Sequence, residues 1–233
     1  MLGITAGVHG LEYAPIMAAQ ALAQELNPAE MNGTVILVHL ANVPGFLHRT
    51  LTQNPYDGKN LNRVFPGRAE GTSTERLAWI ISNQIIARCT YFIDVHAGDA
   101  NNDLRPYAGY YNYYNQPEVS EKARQMAVAL GFDFIVQFGN QASLPEQSIY
   151  CSREATKRNI PAVDIECGRM GIVEEKPVAQ IQTALKSLMR HLRILESQPS
   201  TVQNPVFIGQ RTEVESRHTG FFYSDVTSGD YVK

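Results

Sequence analysis

The sequence predicts an α/β domain whose mostly parallel or mixed central sheet carries helices on both faces, followed by the beginning of a small C-terminal β domain. Short apolar runs alternate along the chain with longer segments of helical periodicity, which is typical of parallel sheets. Thr34–Leu40 is a continuous β-branched run, as in strands that are covered on both faces. After Pro199 the chain changes to short apolar runs among Gly, Ser and Thr. We therefore predict a main domain over residues 1–198 and the start of a β domain over residues 199–233.

The elements of the first half follow from local pattern. Leu2–Ala6 is a short apolar run and is predicted to be a buried strand. Tyr13–Leu26 is rich in alanine and has apolar residues at helical spacing, which predicts a helix. The capping box Thr72-x-x-Glu75 predicts a second helix that runs to about Cys89. Tyr91–His96 is then the next buried strand, and it ends on a histidine.

The second half continues the alternation. Residues 104–114 are rich in tyrosine, and we expect a strand or a loop beside a cleft. A capping box at Ser143-x-x-Glu146 predicts a helix to about Asn159, and Glu175–Leu195 has the clearest helical spacing of apolar residues. The remaining predictions are a helix over Pro117–Gly131 and strands over Phe134–Phe138 and Pro161–Glu166.

Composition narrows the class of protein. The chain has 233 residues, of which 44% are hydrophobic and 18% charged, enough to bury a substantial core. A net charge of −3 without a long basic run argues against a nucleic-acid partner. Three cysteines without C-x-x-C spacing suggest neither a disulfide framework nor a cysteine zinc cluster and fit a cytoplasmic protein. No stretch approaches 18 uninterrupted apolar residues, so we expect no membrane partner.

Residues 41–71 are predicted to form a long loop rich in turn-forming residues. Loops of this length in compact domains are usually functional. Asn62 and Arg63 lie within it, and an amide beside a planar guanidinium can grip a substrate carboxylate. A solvated loop without a binding role is the alternative.

Three predicted strands end at residues that can hold a metal or move a proton. His9 and Glu12 follow the first strand at a spacing that lets both reach one ion, although a plain surface turn is the alternative. His96 ends a later strand, and Asp94 lies on the same face, either as its hydrogen-bond partner or in a capping role. Ligands gather at the carboxyl ends of parallel strands. Two histidines and a glutamate form a catalytic zinc set, which leaves Glu166, at the third strand end, as the candidate base.

These motifs resemble, in order and in rough spacing, those of the succinylglutamate desuccinylase and aspartoacylase family within the zinc carboxypeptidase superfamily. The resemblance covers about residues 1–195 and points to its broad group of uncharacterised deacylases. The motifs are Gly7-x-His9-Gly10-x-Glu12, Asp57-Gly58-Lys59-Asn60-Leu61-Asn62-Arg63-Val64-Phe65-Pro66-Gly67, Asp94-Val95-His96 and Ile165-Glu166-x-Gly168.

The resemblance implies a carboxypeptidase-like α/β fold and one zinc ion on His9, Glu12 and His96. It implies that Glu166 is the general acid and base, and that Asn62 and Arg63 bind the substrate carboxylate. It also implies an arginine ahead of that pair which polarises the scissile carbonyl. The upstream candidate is Arg49, thirteen residues before Asn62, a longer gap than in aspartoacylases.

Together these patterns predict a zinc-dependent amidohydrolase that removes an acyl group from a small N-acylated amino acid. A metallocarboxypeptidase acting on peptides is the first alternative, and a zinc-bearing binding protein without turnover is the second. The final residues resemble the opening of a biotinyl-lipoyl-like β domain, and relatives carry sequence on either side of the matched region. We expect the unpaired strand edge left there to favour association into a homo-oligomer.

Overall fold

The computed structural model describes residues 1–141 and 149–231, and its central feature is a sheet of seven strands in the order β2-β1-β3-β6-β4-β5-β7. The strands are β1 (Leu2–Ala6), β2 (Val35–Val38), β3 (Tyr91–His96), β4 (Tyr107–Tyr113), β5 (Phe134–Gln141), β6 (Ala162–Glu166) and β7 (Val206–Ile208). All neighbours pair in parallel except β4 and β6, which are antiparallel. The sheet is therefore mixed and mostly parallel.

Six helices accompany the sheet within the described residues. They are α1 (Tyr13–Glu25), α2 (Val43–Leu47), α3 (Ser73–Ile80), α4 (Pro117–Ala129), α5 (Cys151–Lys157) and α6 (Glu175–His191). The predicted capping box opens α3, because the Glu75 side chain accepts a hydrogen bond from the Thr72 amide. The helix then loosens into a π-helical turn and a 3-10 turn before β3.

Helices cover both faces of the sheet, and each face has its own apolar core. Residues of α1, α4 and α6 pack with β1, β3 and β6 on one face, where Leu22, Met126 and Leu188 are fully or almost fully buried. On the other face, α3, α5 and the loop that contains Leu61 pack around Phe92. This arrangement confirms the predicted fold class.

Strand β2 differs from its prediction. The run Thr34–Leu40 suggested a strand covered on both faces, but β2 spans only Val35–Val38, pairs with β1 alone and is half-buried throughout. His39 follows the strand and is exposed, so the prediction that it lies inside a covered strand is wrong. A β-branched run fits an edge strand as well as a central one, since the run itself does not reveal its neighbours.

Other predictions concern the segments beside the cleft and near the C-terminus. The tyrosine-rich segment 104–114 contains strand β4. The predicted helix start at Ser143-x-x-Glu146 falls outside the described residues, and α5 begins at Cys151. Strand β7 adds to the central sheet, but no strand occurs among described residues 209–231, and Phe221 and Phe222 in the predicted β run are exposed.

The topology places three strand ends side by side. Strands β1, β3 and β6 are consecutive, parallel neighbours, with Ala6 opposite Val95 and His96 opposite Glu166. The residues that end or directly follow these strands therefore lie at one edge of the sheet. Among the helices described, none is long and apolar enough to cross a membrane.

Candidate functional site

The turn after β1 places His9 and Glu12 at the sheet edge. Gly7 has φ +67°, a conformation that favours glycine. At Gly10 a Cβ atom would collide with the backbone of Gly45 and Phe46, so the turn packs directly against α2. His9 and Glu12 are both buried and face the end of β3.

Three of the predicted ligands converge on one point. The Glu12 carboxylate lies between the two imidazole rings, with Oε1 2.7 Å from Nδ1 of His9 and Oε2 2.9 Å from Nδ1 of His96. One ligand atom from each of the three residues lies within 4.8 Å of the others. Glu12 and His96, which are 84 residues apart in sequence, are thus brought to one small volume.

On each imidazole ring, the nitrogen that faces away from Glu12 donates a hydrogen bond to a nearby oxygen. His96 Nε2 donates to Oδ2 of Asp94 at 2.8 Å, and Oδ1 of Asp94 accepts a hydrogen bond from the Thr5 hydroxyl at 2.6 Å. His9 Nε2 donates to Oδ1 of Asn60 at 3.2 Å; that oxygen also accepts from a backbone amide and so acts as an acceptor. Both rings therefore turn Nδ1 toward Glu12.

The charges of this cluster are strongly linked. Burial opposes ionisation of Glu12, but His9 and His96 outweigh it and lower the pKa of the carboxyl group. Burial also disfavours a charged His96 ring, yet Asp94 and Glu12 raise its pKa well above the usual value. The carboxylate thus favours a positive charge in the space between the rings.

Glu166 lies beside this cluster at the end of β6. Its Oε2 atom is buried and has no hydrogen-bond partner among the described residues. Burial raises the pKa of the Glu166 carboxyl group, and the neighbouring carboxylates raise it further. Asp164, two residues earlier, is also buried, and burial together with Asp94 raises its pKa to about 7.

Arg63 and Arg153 line one wall of the cleft, and both guanidinium groups lie over the same aromatic ring. The Arg63 guanidinium lies 4.6 Å from the centre of the Tyr150 ring, and that of Arg153 lies 5.2 Å from the same ring. Asn62 lines the cleft too, but its Oδ1 accepts a hydrogen bond from the backbone amide of Cys151 at 2.8 Å. The side-chain oxygen of Asn62 therefore holds the start of α5.

Arg49 is not brought to the cleft. It follows α2 with φ +53° and lines a separate groove with Tyr13 and Phe46. The Arg49 amide donates to the carbonyl of Phe46 in the turn that ends α2. Sequence distance from Asn62 does not reveal which groove the side chain lines. The structure thus places Arg49 apart from the other predicted site residues.

The cleft has a volume of about 390 Å³, in the range of small-molecule sites. It is lined by His9, Asn62, Arg63, His96, Tyr107, Tyr111, Phe138, Gly139, Tyr150, Ser152, Arg153, Asp164, Glu166 and Arg211. A larger groove of about 670 Å³ lies between the C-terminal ends of α1 and α6. That groove is remote from the histidines, so we place the site in the smaller cleft.

Several residues of the site were missed by sequence reasoning. Asn60 lies in the loop motif that the sequence marked, so its position was a usable signal. Tyr107 belongs to the tyrosine-rich segment 104–114, which we expected beside a cleft, but the pattern did not single out this residue. Tyr150, Arg153 and Arg211 carry no local pattern that distinguishes them from surface residues. Arg211 reaches the cleft from the segment after β7.

Comparison with known proteins identifies relatives in sequence and in fold. The N-alpha-acetyl-L-2,4-diaminobutyric acid deacetylase of Halomonas elongata is 27% identical over 233 residues, which is 98% of this chain and 66% of that enzyme. A succinylglutamate desuccinylase/aspartoacylase structure from Rhodobacter sphaeroides matches with TM-score 0.77 at 26% identity, over 87% of this chain and 58% of that one.

The product-bound ectoine utilization protein EutE (DoeB) from Ruegeria pomeroyi has the same fold, with TM-score 0.80 at 23% identity over 91% of this chain and 62% of its own. The chain thus spans less than two thirds of the length of these solved relatives, and 66% of the Halomonas enzyme. Residues 1–192 match the model of the succinylglutamate desuccinylase/aspartoacylase catalytic domain. Because this match covers most of the chain, the protein belongs to the succinylglutamate desuccinylase/aspartoacylase family.

Proposed function

We propose that this protein is a zinc-dependent deacylase that hydrolyses the amide bond of a small N-acylated amino acid. The observation that carries the proposal is the convergence of His9, Glu12 and His96 beside the unpartnered carboxyl oxygen of Glu166. Family membership and the similarity to a deacetylase of an acylated diamino acid support it.

The residues present fit a zinc ion. Because Asp94 and Asn60 accept from the Nε2 atoms, each imidazole ring directs Nδ1 toward Glu12 and, in its neutral form, offers an Nδ1 lone pair there. Two lone pairs and a carboxylate at 2.7 and 2.9 Å repel one another unless a cation or proton lies between them. Two histidines and a glutamate are a catalytic zinc donor set. When bound there, zinc supplies a Lewis acid for a carbonyl oxygen and acidifies water.

Glu166 is suited to move the proton of the reaction. Its raised pKa brings the carboxyl group closer to neutral pH, where a general base is most effective. It can take a proton from the attacking water and deliver it to the leaving amine. A protein that only binds its ligand has no need of such a group.

Arg63 and Arg153 are suited to bind the carboxylate of the amino acid part. Stacking on Tyr150 orders both planar guanidinium groups, and an ordered guanidinium can hold a carboxylate through two parallel hydrogen bonds. In this proposal Asn62 supports the wall through α5 while its amide nitrogen faces the substrate.

Amine release from a panel of N-acylated amino acids and short peptides tests the function. Metal-free protein, zinc-restored protein and untreated protein are compared on each substrate. We expect release from N-acyl amino acids that depends on zinc. Faster cleavage of peptides would favour the carboxypeptidase alternative, and binding without release would favour the binding protein.

The ligand assignment has a separate test. His96→Ala removes one of three donors, so we expect zinc content after dialysis to fall from about one equivalent per chain to well below one. His39→Ala is the matched control, since His39 is exposed and outside the cleft. A full equivalent of zinc in His96→Ala protein would contradict the assignment.

A further inference from the structure

Arg49 lies outside the cleft, which leaves the scissile carbonyl without the hydrogen-bond donor that the sequence suggested. Acyl-transfer enzymes gain much of their rate from a donor aimed at the oxygen that becomes negative. A donor that acts together with the zinc ion would have to come from another side chain that lines the cleft near Glu166 and His96.

Strand β4 carries four tyrosines, and one of their hydroxyl groups, that of Tyr107, differs from the others in its hydrogen bonding. Tyr110 donates to Oε1 of Gln137 at 2.8 Å, Tyr111 bonds with Ser152, and Tyr113 accepts from Nε of Arg153 at 3.0 Å. Within residues 1–141 and 149–231, the Tyr107 hydroxyl has no hydrogen-bond partner. Buried or half-buried tyrosine hydroxyls usually have one, so a free hydroxyl facing a cleft is available to a ligand.

Strand register places Tyr107 directly beside the proposed base. Tyr107 pairs with Glu166 across the antiparallel β4 and β6 strands, so the two side chains leave the same face of the sheet. Both line the cleft together with His9 and His96. Both side chains are therefore available to a substrate in the cleft.

The surroundings keep the hydroxyl protonated. Burial raises the pKa of Tyr107, and the nearby Glu166 and Asp164 carboxylates raise it further. The phenol is therefore a donor throughout the neutral pH range. Arg63 and Arg153 stack on Tyr150, a separate ring, and suit a carboxylate, whereas a neutral donor beside the base suits an oxygen whose charge develops during the reaction.

We propose that Tyr107 is a catalytic residue whose hydroxyl donates a hydrogen bond to the carbonyl oxygen of the scissile amide. This role rests on the deacylase function proposed above. The bond strengthens as the carbonyl oxygen gains negative charge, so Tyr107 lowers the barrier more than it strengthens substrate binding.

Tyr107→Phe tests the role on the zinc-loaded enzyme with the best N-acyl amino acid of the panel. We expect kcat to fall roughly 100-fold, as for loss of one such donor, with KM changed less than about threefold. Zinc content and Tm should stay at the wild-type values. The affinity for a tetrahedral phosphonate analogue should fall in parallel with kcat, while affinity for the free product amino acid stays unchanged.

Tyr110→Phe is the matched control, because it removes a hydroxyl from the same strand that bonds to Gln137. Its kcat should remain near wild type. A Tyr107→Phe enzyme with kcat within about threefold of wild type would overturn the proposal. A fall in kcat accompanied by a shifted pH profile would also overturn it, since Tyr107 would then act through Glu166.

Two outcomes separate this proposal from the proposed function. A zinc-loaded wild-type protein that releases no amine from any N-acyl amino acid overturns both, whereas an active wild type with an active Tyr107→Phe variant overturns the role of Tyr107 alone. If Tyr107→Phe loses zinc or folds poorly, 3-fluorotyrosine at position 107 replaces it. The more acidic phenol must then change kcat, and an unchanged kcat overturns the proposal.

Discussion

Asp94 and Asn60 decide which nitrogen each histidine turns toward Glu12. Each accepts a hydrogen bond from Nε2, which leaves Nδ1 directed toward the Glu12 carboxylate. Such outer partners fix the tautomer and ring orientation. At the scale of the residue, the geometry of the site therefore depends on each histidine together with the acceptor that orients its ring.

Glu166→Gln separates metal binding from proton transfer. Glutamine keeps the shape of the side chain but cannot accept the proton, so we expect kcat to fall by about 10²- to 10⁴-fold. Zinc content should remain unchanged. Amine release measured at fixed times gives kcat, and metal analysis of the same sample gives the zinc content. A variant that keeps most of its activity would contradict the role of Glu166 and leave Asp164 or Asp99 as the candidate base.

Asp164 predicts a pH dependence of stability in the metal-free protein. Its pKa is raised from 3.8 to about 7, so between these values the unfolded chain loses the proton first and stability falls as pH rises. Asp164→Asn removes the ionisable group, so the stability of the variant should not fall with rising pH for this reason. Since one unit of pKa is about 1.4 kcal/mol, the variant should gain up to about 4 kcal/mol relative to wild type between pH 4 and pH 8.

Urea unfolding at the two pH values measures this difference. Asp133→Asn is the control, because Asp133 is exposed and lies outside the cleft. A difference between wild type and Asp164→Asn that is the same at pH 4 and pH 8 would contradict the prediction.

At the scale of the element, short segments position the walls of the cleft. Helix α5 has only seven residues, and its N-terminal backbone amide at Cys151 donates to the Asn62 side chain. Orphan amides at a helix start need such acceptors. One loop residue thus fixes the helix that carries Arg153 and the ring of Tyr150 just before it.

Asn62→Ala should destabilise the protein by about 1 kcal/mol, the usual cost of losing a helix cap, and should raise KM because Tyr150 and Arg153 lose their anchor. Asn62→Asp keeps the accepting oxygen and should cost less than half as much in free energy of unfolding. Urea unfolding of the two variants compares these values. Equal destabilisation by both changes would show that the hydrogen bond to Cys151 does not account for the loss of stability.

At the scale of the whole molecule, the cleft collects residues from nearly the full chain. His9 comes from the first strand end, whereas Arg211 follows the last strand, β7. Further along this segment, Ser228 donates two hydrogen bonds to Asp103, at 3.1 Å from its amide and 3.2 Å from its hydroxyl. Through Arg211 the segment after β7 contributes to the lining of the cleft.

Arg211→Ala tests this contribution. Removing the positive charge should raise KM for carboxylate-bearing substrates several-fold and leave kcat within about twofold, because Arg211 lines the cleft as an exposed side chain whose charge attracts the carboxylate. Arg217→Ala is the control, since Arg217 is exposed in the same segment but does not line the cleft. Equal effects of both changes on KM would point to a nonspecific charge effect.

The sequence by itself determined the fold class and the candidate ligands. Alternating strand and helix patterns predicted β1, β3 and β6, and parallel strands with helices on both faces gather their carboxyl ends at one edge. His9, Glu12, His96 and Glu166 could therefore be placed together from their positions at strand ends. These are local patterns combined with one topological rule.

Only the tertiary structure decided the rest. Strand β2 lies at an edge, Arg49 points into another groove, and Asn62 uses its oxygen to hold α5. Tyr107 meets Glu166 because an antiparallel strand enters the sheet between β6 and β5. Contacts between residues that are distant in sequence decide strand order, register and the direction of a chain that leaves a turn. A local pattern of residue types does not specify those contacts.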